Sequence, residues 1–317
     1  MTSAPAAAPG PLFADPVAAL DGMPFIDDSF AHKRLLAAVA DVRKATAHTA
    51  SLYDGPRLES WLSPGRAALV TRTSEPQPGT VLTRGQRSRV DRACRALGAA
   101  IPAWRPLVRL PVRFALLHPP TGATSASVRT WPQHVLLAAE AFTGGPEALA
   151  ALVAREMAHQ WLYLMEEVCP TRRGSEQAPP GTNGRFAVDV LAAAHADATL
   201  IGLHRTVAGA ASDARVLGLR EHGLGCLALL RREDLTAAGC SIAHRLREAL
   251  ASYARTGADT GDLGAGAGRE AAGPGTGRSG GTGAAYDDNS VRQADGDEGA
   301  HPGEDVQCVP SGHQGGG

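Results

Sequence analysis

Aromatic side chains make up only 4% of this 317-residue chain, although hydrophobic residues reach 44%. A core with so few rings must be assembled from Leu, Val and Ala. That mix suits close-packed helices better than a β-sandwich, which draws on β-branched and aromatic residues. Charge of one sign is lacking too. Lys and Arg number 31 against 32 acids, a formal charge of −1, which argues against a dedicated nucleic-acid surface even though arginine greatly outnumbers lysine. The five cysteines (Cys94, Cys169, Cys226, Cys240 and Cys308) are odd in number and widely spaced. With no CxxC pair among them, neither a thiolate zinc site nor a disulfide framework is expected. No run of about 18 apolar residues occurs, so no membrane span is expected. The opening "MTSAPAAAPGPLFADP" has neither a basic segment nor an apolar one, so the expectation is a cytoplasmic protein without a signal peptide.

What is present is mostly helical patterning. Residues 1–20 are Ala/Pro-rich and are expected to be loose. From Asp28 to about Leu52 apolar residues recur at helical spacing, with Ser29 as the expected cap. A second helix is expected over "RGQRSRVDRACRALGAAI", with Gly98 near its end. The character then changes. "PLVRLPVRFALLHPP" alternates in part at period two and reads as one or two strands, and "SASVRTWPQHVLL" adds another. Gly144 and Gly145 break that region. Pro146 suits a first helical position and Glu147 the positive end of the helix dipole, so a helix is expected from there to about Val168, stopped by Pro170. After the polar loop "TRRGSEQAPPGTNG" come three more helical stretches: "RFAVDVLAAAHADATLIGLHRTV", "SDARVLGLREHGLGCLALLRRED" and "SIAHRLREALASYA". Residues 256–317 hold 18 of the 37 glycines and almost no large apolar side chains, so that tail is expected to be disordered. The fold class expected is mainly α with a small β element (α+β), helical and metallohydrolase-like over residues 21–255.

The chemistry is concentrated in "ALVAREMAHQWLYL", Ala151 to Leu164. It stands one residue away from His-Glu-x-x-His, in which two histidines at i and i+4 share a helix face and grip one metal ion. The Glu between them accepts a proton from metal-bound water. Here Glu156 and His159 are in place, but the first position is Arg155. Arg has no lone pair to give, keeps its proton, and carries a fixed positive charge where a cation would sit.

Taken with what surrounds it, the span from Trp131 to about Ser252 resembles the HExxH-type peptide β-hydroxylases. These are iron and 2-oxoglutarate enzymes that modify ribosomally made peptides. The stretches that carry the resemblance are "LAALVAREMAHQWLYLMEE", "NGRFAVDVLAAAHADATLIGLHR" and "LTAAGCSIAHRLREAL". The resemblance implies Glu156 and His159 at the second and last motif positions. It implies Arg185 as the arginine that opens the next helix and would meet the 2-oxoglutarate carboxylate. His195 is implied as the downstream iron ligand; another register puts that ligand at Ala192 and leaves His159 alone. If active, Fe(II) and 2-oxoglutarate are the cofactors. The partners expected are a precursor peptide and a peptide-modification enzyme, with no nucleic acid and no membrane.

Two other readings stay open. A non-catalytic, peptide-binding scaffold would keep the fold and lose the metal, with Arg155 filling its place and a nearby carboxylate balancing the charge. A zinc metallopeptidase of the thermolysin-like type fits "AHQW", but its further Glu ligand falls at Ala178, with Glu176 out of step. Elsewhere, His204 is expected at the surface or a helix end, His118 and His134 to be structural, and Trp131 and Trp161 to pack in the core.

Overall fold

The computed structural model describes residues 12–49, 58–65, 67, 80–117, 123–127, 129, 131–173, 187–207 and 213–255. The tail 256–317, Arg185, His118, Glu176 and Ala178 lie outside the described residues. Helices dominate: α1 (Pro16–Ala19), α2 (His32–Thr49), α3 (Leu58–Trp61), α4 (Arg84–Ala100), α5 (Pro146–Val168), α6 (Ala187–Val207), α7 (Asp213–Ala228) and α8 (Ala237–Arg255). The β element is one small sheet of β1 (Arg113–Leu116), β2 (Ser125–Ala126) and β3 (His134–Leu137), in the order β1–β3–β2. The mainly helical class with a small sheet is therefore as expected. No helix among the described residues is long and apolar enough to cross a membrane.

α5 is the axis of the fold. It opens on Pro146 behind Gly145, with Glu147 in the first turn, and its last turn closes when Cys169 N–H donates to Met165 O before Pro170. Its C-terminal half is buried on almost every side, because α2, α4, α6 and the sheet all pack on it. β3 lies against α5 with all four side chains buried, paired in parallel with β1 (Arg113 opposite His134) and antiparallel with β2 (Ser125 opposite Leu137). α6 packs on α5, α7 and α8. Buried Ala192, Ala194, Ala196 and Ala198 are short enough to let those neighbours approach closely.

Close approach is also what fixes two glycines. A Cβ on Gly239 would sit 2.1 Å from the Thr171 carbonyl oxygen, so only glycine lets α8 start against that loop. A Cβ on Gly223 would meet Leu250 Cδ1 at 3.0 Å and Asp197 Cβ at 3.3 Å, so glycine brings α7 onto α6 and α8.

Several details depart from the sequence reading. α2, with Ser29 as its expected cap, starts only at His32, and the Ser29 hydroxyl instead donates to the Asp21 carbonyl at 2.6 Å. Residues 12–20, within the stretch expected to be loose, are held in place. Leu12 N–H donates to Val168 O at 3.0 Å, Asp15 caps α1 and accepts from Ser241 on α8, and Leu20 is fully buried. Leu107–Arg109, inside the first expected strand region, forms a 3₁₀ turn instead. Trp161 is in the core as expected, its indole N–H donating to Leu107 O at 2.9 Å and its ring edge-on to Phe30. Trp131 is only half-buried and lies outside the core.

Candidate functional site

The expected site residues that fall in the described chain meet on the seam between α5 and α6. Glu156 is almost wholly buried, at 2% exposure. Helical spacing turns its side chain toward the edge of the sheet, where the Ser125 hydroxyl of β2 donates to Oε1 at 2.7 Å. Its other oxygen, Oε2, stands 3.5 Å from His159 Nδ1, an ion-pair distance at the outer limit of hydrogen bonding. Burial works to raise the Glu156 pKa. The close approach and charge of His159, with the hydroxyls of Ser127 and Ser125, outweigh it and bring the carboxyl down to about 2. Glu156 is thus an ionised carboxylate in an apolar setting. Beside it, Tyr163 turns a tilted ring toward His159, with centroids 6.3 Å apart, and its hydroxyl donates to Ser127 O at 3.4 Å. Burial and the charges of Asp189 and Glu156 raise the Tyr163 pKa well above its usual value, so it remains a protonated phenol.

His195, from α6, is completely buried. Its Nε2 lies 2.7 Å from the Pro24 carbonyl, and since a carbonyl only accepts, Nε2 carries the proton. Burial lowers its pKa most; the charge of His159 adds to that, and the result is about 4 in spite of the Pro24 and Ala158 carbonyls. A neutral imidazole with Nε2–H has a lone pair on Nδ1, and that atom is buried with no hydrogen-bond partner. His159 Nε2 and Glu156 Oε2 share the same condition. Three buried polar atoms left this way on one seam are unusual in a native interior.

Arg155 lies one turn before His159 on α5, and its charge acts on Asp197 of α6, as does that of His159. Asp197 Oδ2 in turn accepts from His222 Nδ1 of α7 at 2.7 Å. Burial raises the Asp197 pKa, while His222, Arg155 and His159 oppose that rise. His222 is pushed up to about 10 by the Asp197 bond first and the Cys226 contact next, so the imidazole is protonated at neutral pH.

Arg155, Glu156, His159 and His195 are therefore brought to one seam, and Arg185 lies outside the described residues. Ala192 is buried on α6 and offers no donor. His134 is buried on β3 with Nδ1 2.9 Å from Pro132 O, a structural role. His204, expected at the surface or a helix end, lies in the last turn of α6, where it is half-buried and burial lowers its pKa. The sequence reading missed Ser125, Ser127, Pro24, His222 and Cys226. Only the i, i+4 spacing of His222 and Cys226 offered a signal. Comparison with protein-family models and with curated proteins finds no match for this chain.

Proposed function

We propose that the chain is a homologue of the HExxH-type peptide β-hydroxylases, concerned with modification of a ribosomally made peptide, whose iron site is impaired by Arg155. The observation that carries this reading is the α5–α6 seam, where a buried, ionised Glu156 and a buried, neutral His195 stand with the partly buried His159 and Arg155.

Oxygenase iron of this kind takes two imidazoles and a carboxylate on one face of the metal. His159 Nε2 and His195 Nδ1 fit part of that demand. Both atoms are buried without a hydrogen-bond partner, and the other ring nitrogen is turned to a carboxylate or a backbone carbonyl, as is common around metal-binding histidines. The remaining place is not filled. A guanidinium occupies the first motif position, and among the described residues no three His, Cys, Asp or Glu side chains gather to share a cation. The donor set does not fit a tightly held iron.

The work left to these residues is charge balance and recognition. Arg155 supplies the positive charge that an ion would have brought, and Asp197 is the carboxylate across the seam that feels it. This favours the scaffold variant of the proposal: a protein that binds a precursor peptide for a partner enzyme. Any retained 2-oxoglutarate would meet Arg185. The zinc-peptidase reading lacks a comparable support, since Ala178 stands at its remaining ligand position.

Anaerobic Fe(II) titration of the purified protein tests the proposal. Wild type is expected to bind no stoichiometric iron, and Arg155→His to gain binding with a proton release that rises as pH falls. Stoichiometric iron in wild type would overturn the impaired-site reading. Zinc in its place, with cleavage of a generic peptide, would favour the peptidase.

A further inference from the structure

On the far side of Asp197 lies a second group of reactive side chains, which the proposed function leaves unused. His222 bridges two partners with its two ring nitrogens. Nδ1 is 2.7 Å from Asp197 Oδ2, and Nε2 is 3.8 Å from Cys226 Sγ. Cys226 follows His222 by one helical turn on α7, so the helix itself sets their spacing. Asp197 reaches them from α6 because Gly223 has no side chain to hold the two helices apart. The order thiol, imidazole, carboxylate is that of an activated nucleophile: an imidazole against the sulfur and a carboxylate that orients it.

We propose that Cys226, His222 and Asp197 form a thiol site that reacts with a hydroperoxide to give Cys226 sulfenic acid. The geometry selects this class of electrophile over an acyl group. Acyl transfer needs backbone donors for a tetrahedral oxyanion, and the N–H groups around Cys226 belong to the hydrogen-bonded body of α7. A hydroperoxide asks only for a thiolate and an acid for the departing oxygen. Access points the same way. Cys226 is 6% exposed while the His222 side chain is half-exposed, which favours a small uncharged reactant over a bulky one.

The step balances. The Cys226 thiolate attacks one peroxide oxygen, and an S–O bond forms as the O–O bond breaks. The sulfur is oxidised by two electrons and the peroxide is reduced. The His222 imidazolium gives its proton to the departing oxygen, so hydrogen peroxide leaves as water. His222 is held in that protonated form by Asp197. α7 itself carries Asp213, Arg215, Arg220 and Glu221, the last beside His222. Arg220 donates to Leu250 O and Arg247 of α8 to Leu227 O, while Arg155 and His159 act from α5 through Asp197.

The test treats the full-length folded protein with hydrogen peroxide, quenches the peroxide, denatures the chain in dimedone so that sulfenic acid at any depth is trapped, and reads every cysteine by peptide mass spectrometry. Cys226 is expected to be labelled on the order of 10-fold or more faster than the other cysteines, although Cys94 and Cys240 are better exposed. His222→Gln should slow the labelling of Cys226 to the rate of the other cysteines. Equal labelling of Cys226 and the other cysteines in wild type, or unchanged labelling of Cys226 in His222→Gln, would overturn the proposal. Should His222→Gln fail to fold, the wild-type comparison alone decides: equal labelling overturns it.

Discussion

Two buried polar clusters meet on α5, and they are built in opposite ways. Around Arg43 every strong donor has an acceptor. Nε and Nη2 grip the two oxygens of Glu167 at 2.8 and 2.7 Å, and Nη1 donates to Trp61 O at 2.8 Å and Gln133 Oε1 at 2.6 Å. Gln133 passes its amide protons to Leu62 O and Pro111 O, and Gln160 of α5 ties Gln133 N to His134 O. One helical turn away, Glu156 Oε2, His159 Nε2 and His195 Nδ1 have no hydrogen-bond partner. A satisfied network in low dielectric rigidifies a fold, whereas an unsatisfied one is tolerated only where something other than stability maintains it. The first cluster is a structural joint between α2, β3 and α5. The second is the place to look for function.

The largest effect should come from breaking the joint. Arg43→Leu leaves Glu167 and Gln133 without their partner, and loss of one member of a buried pair costs about 3–5 kcal/mol. Urea unfolding should register it as a lower midpoint at similar slope. A shift under about 1 kcal/mol would erase the contrast between the clusters.

Acid should next pick out the seam. His195, pressed to about 4, is neutral in the fold and charges more readily when unfolded, so stability falls as pH drops below about 6.5 toward 4. Glu156, held at about 2, adds stability that is complete above its ordinary unfolded pKa and is lost as pH falls through about 2. Thermal midpoints recorded from pH 7 to pH 3 should decline in wild type. In Glu156→Gln the part of the decline below about pH 4.5 should shrink. Parallel curves for the two proteins would mean that Glu156 is not held ionised by His159 and the serines.

Gly223→Ala should cost about 1 kcal/mol. The added methyl crowds Leu250 and Asp197, and the gain in helix propensity offsets part of that strain. A stabilised variant would show that α7 can move away from α6 without loss. The smallest effect belongs to the half-exposed His222–Asp197 pair. Its contribution is fully present below the ordinary histidine pKa and is lost as pH rises through about 10. Because solvent screens it, the change should be under about 1 kcal/mol. Denaturation at pH 8 and pH 11, compared with Asp197→Asn, reads it directly.

Much of the frame was legible in the sequence. Pro146, Glu147 and Pro170 mark the ends of α5 by rules that act within a turn, and the helical spacing of apolar residues gave α6, α7 and α8. Helix patterning also placed Glu156 and His159 on one helix. What was hidden is what comes from far along the chain. The Pro24 carbonyl that fixes the tautomer of His195 is 171 residues away, and Ser125 meets Glu156 only because β2 forms the sheet edge against α5. The Asp197–His222 contact depends on a helix crossing that Gly223 permits, and no local pattern announces it. The Arg43 joint escaped notice for the same reason: Arg43 looked like one more charge on an amphipathic helix, yet it is 1% exposed.

A double-mutant cycle on Arg155→Met and Asp197→Asn tests most directly the claim that a guanidinium has taken over the charge of a lost ion. Unfolding free energies of wild type, both single variants and the double variant give the coupling between the two positions. The account predicts a favourable coupling of about 1 kcal/mol or more, with Asp197→Asn alone less harmful once Arg155 is gone. Strict additivity would contradict it, because Arg155 would then be an ordinary surface arginine and the seam would carry no substitute charge.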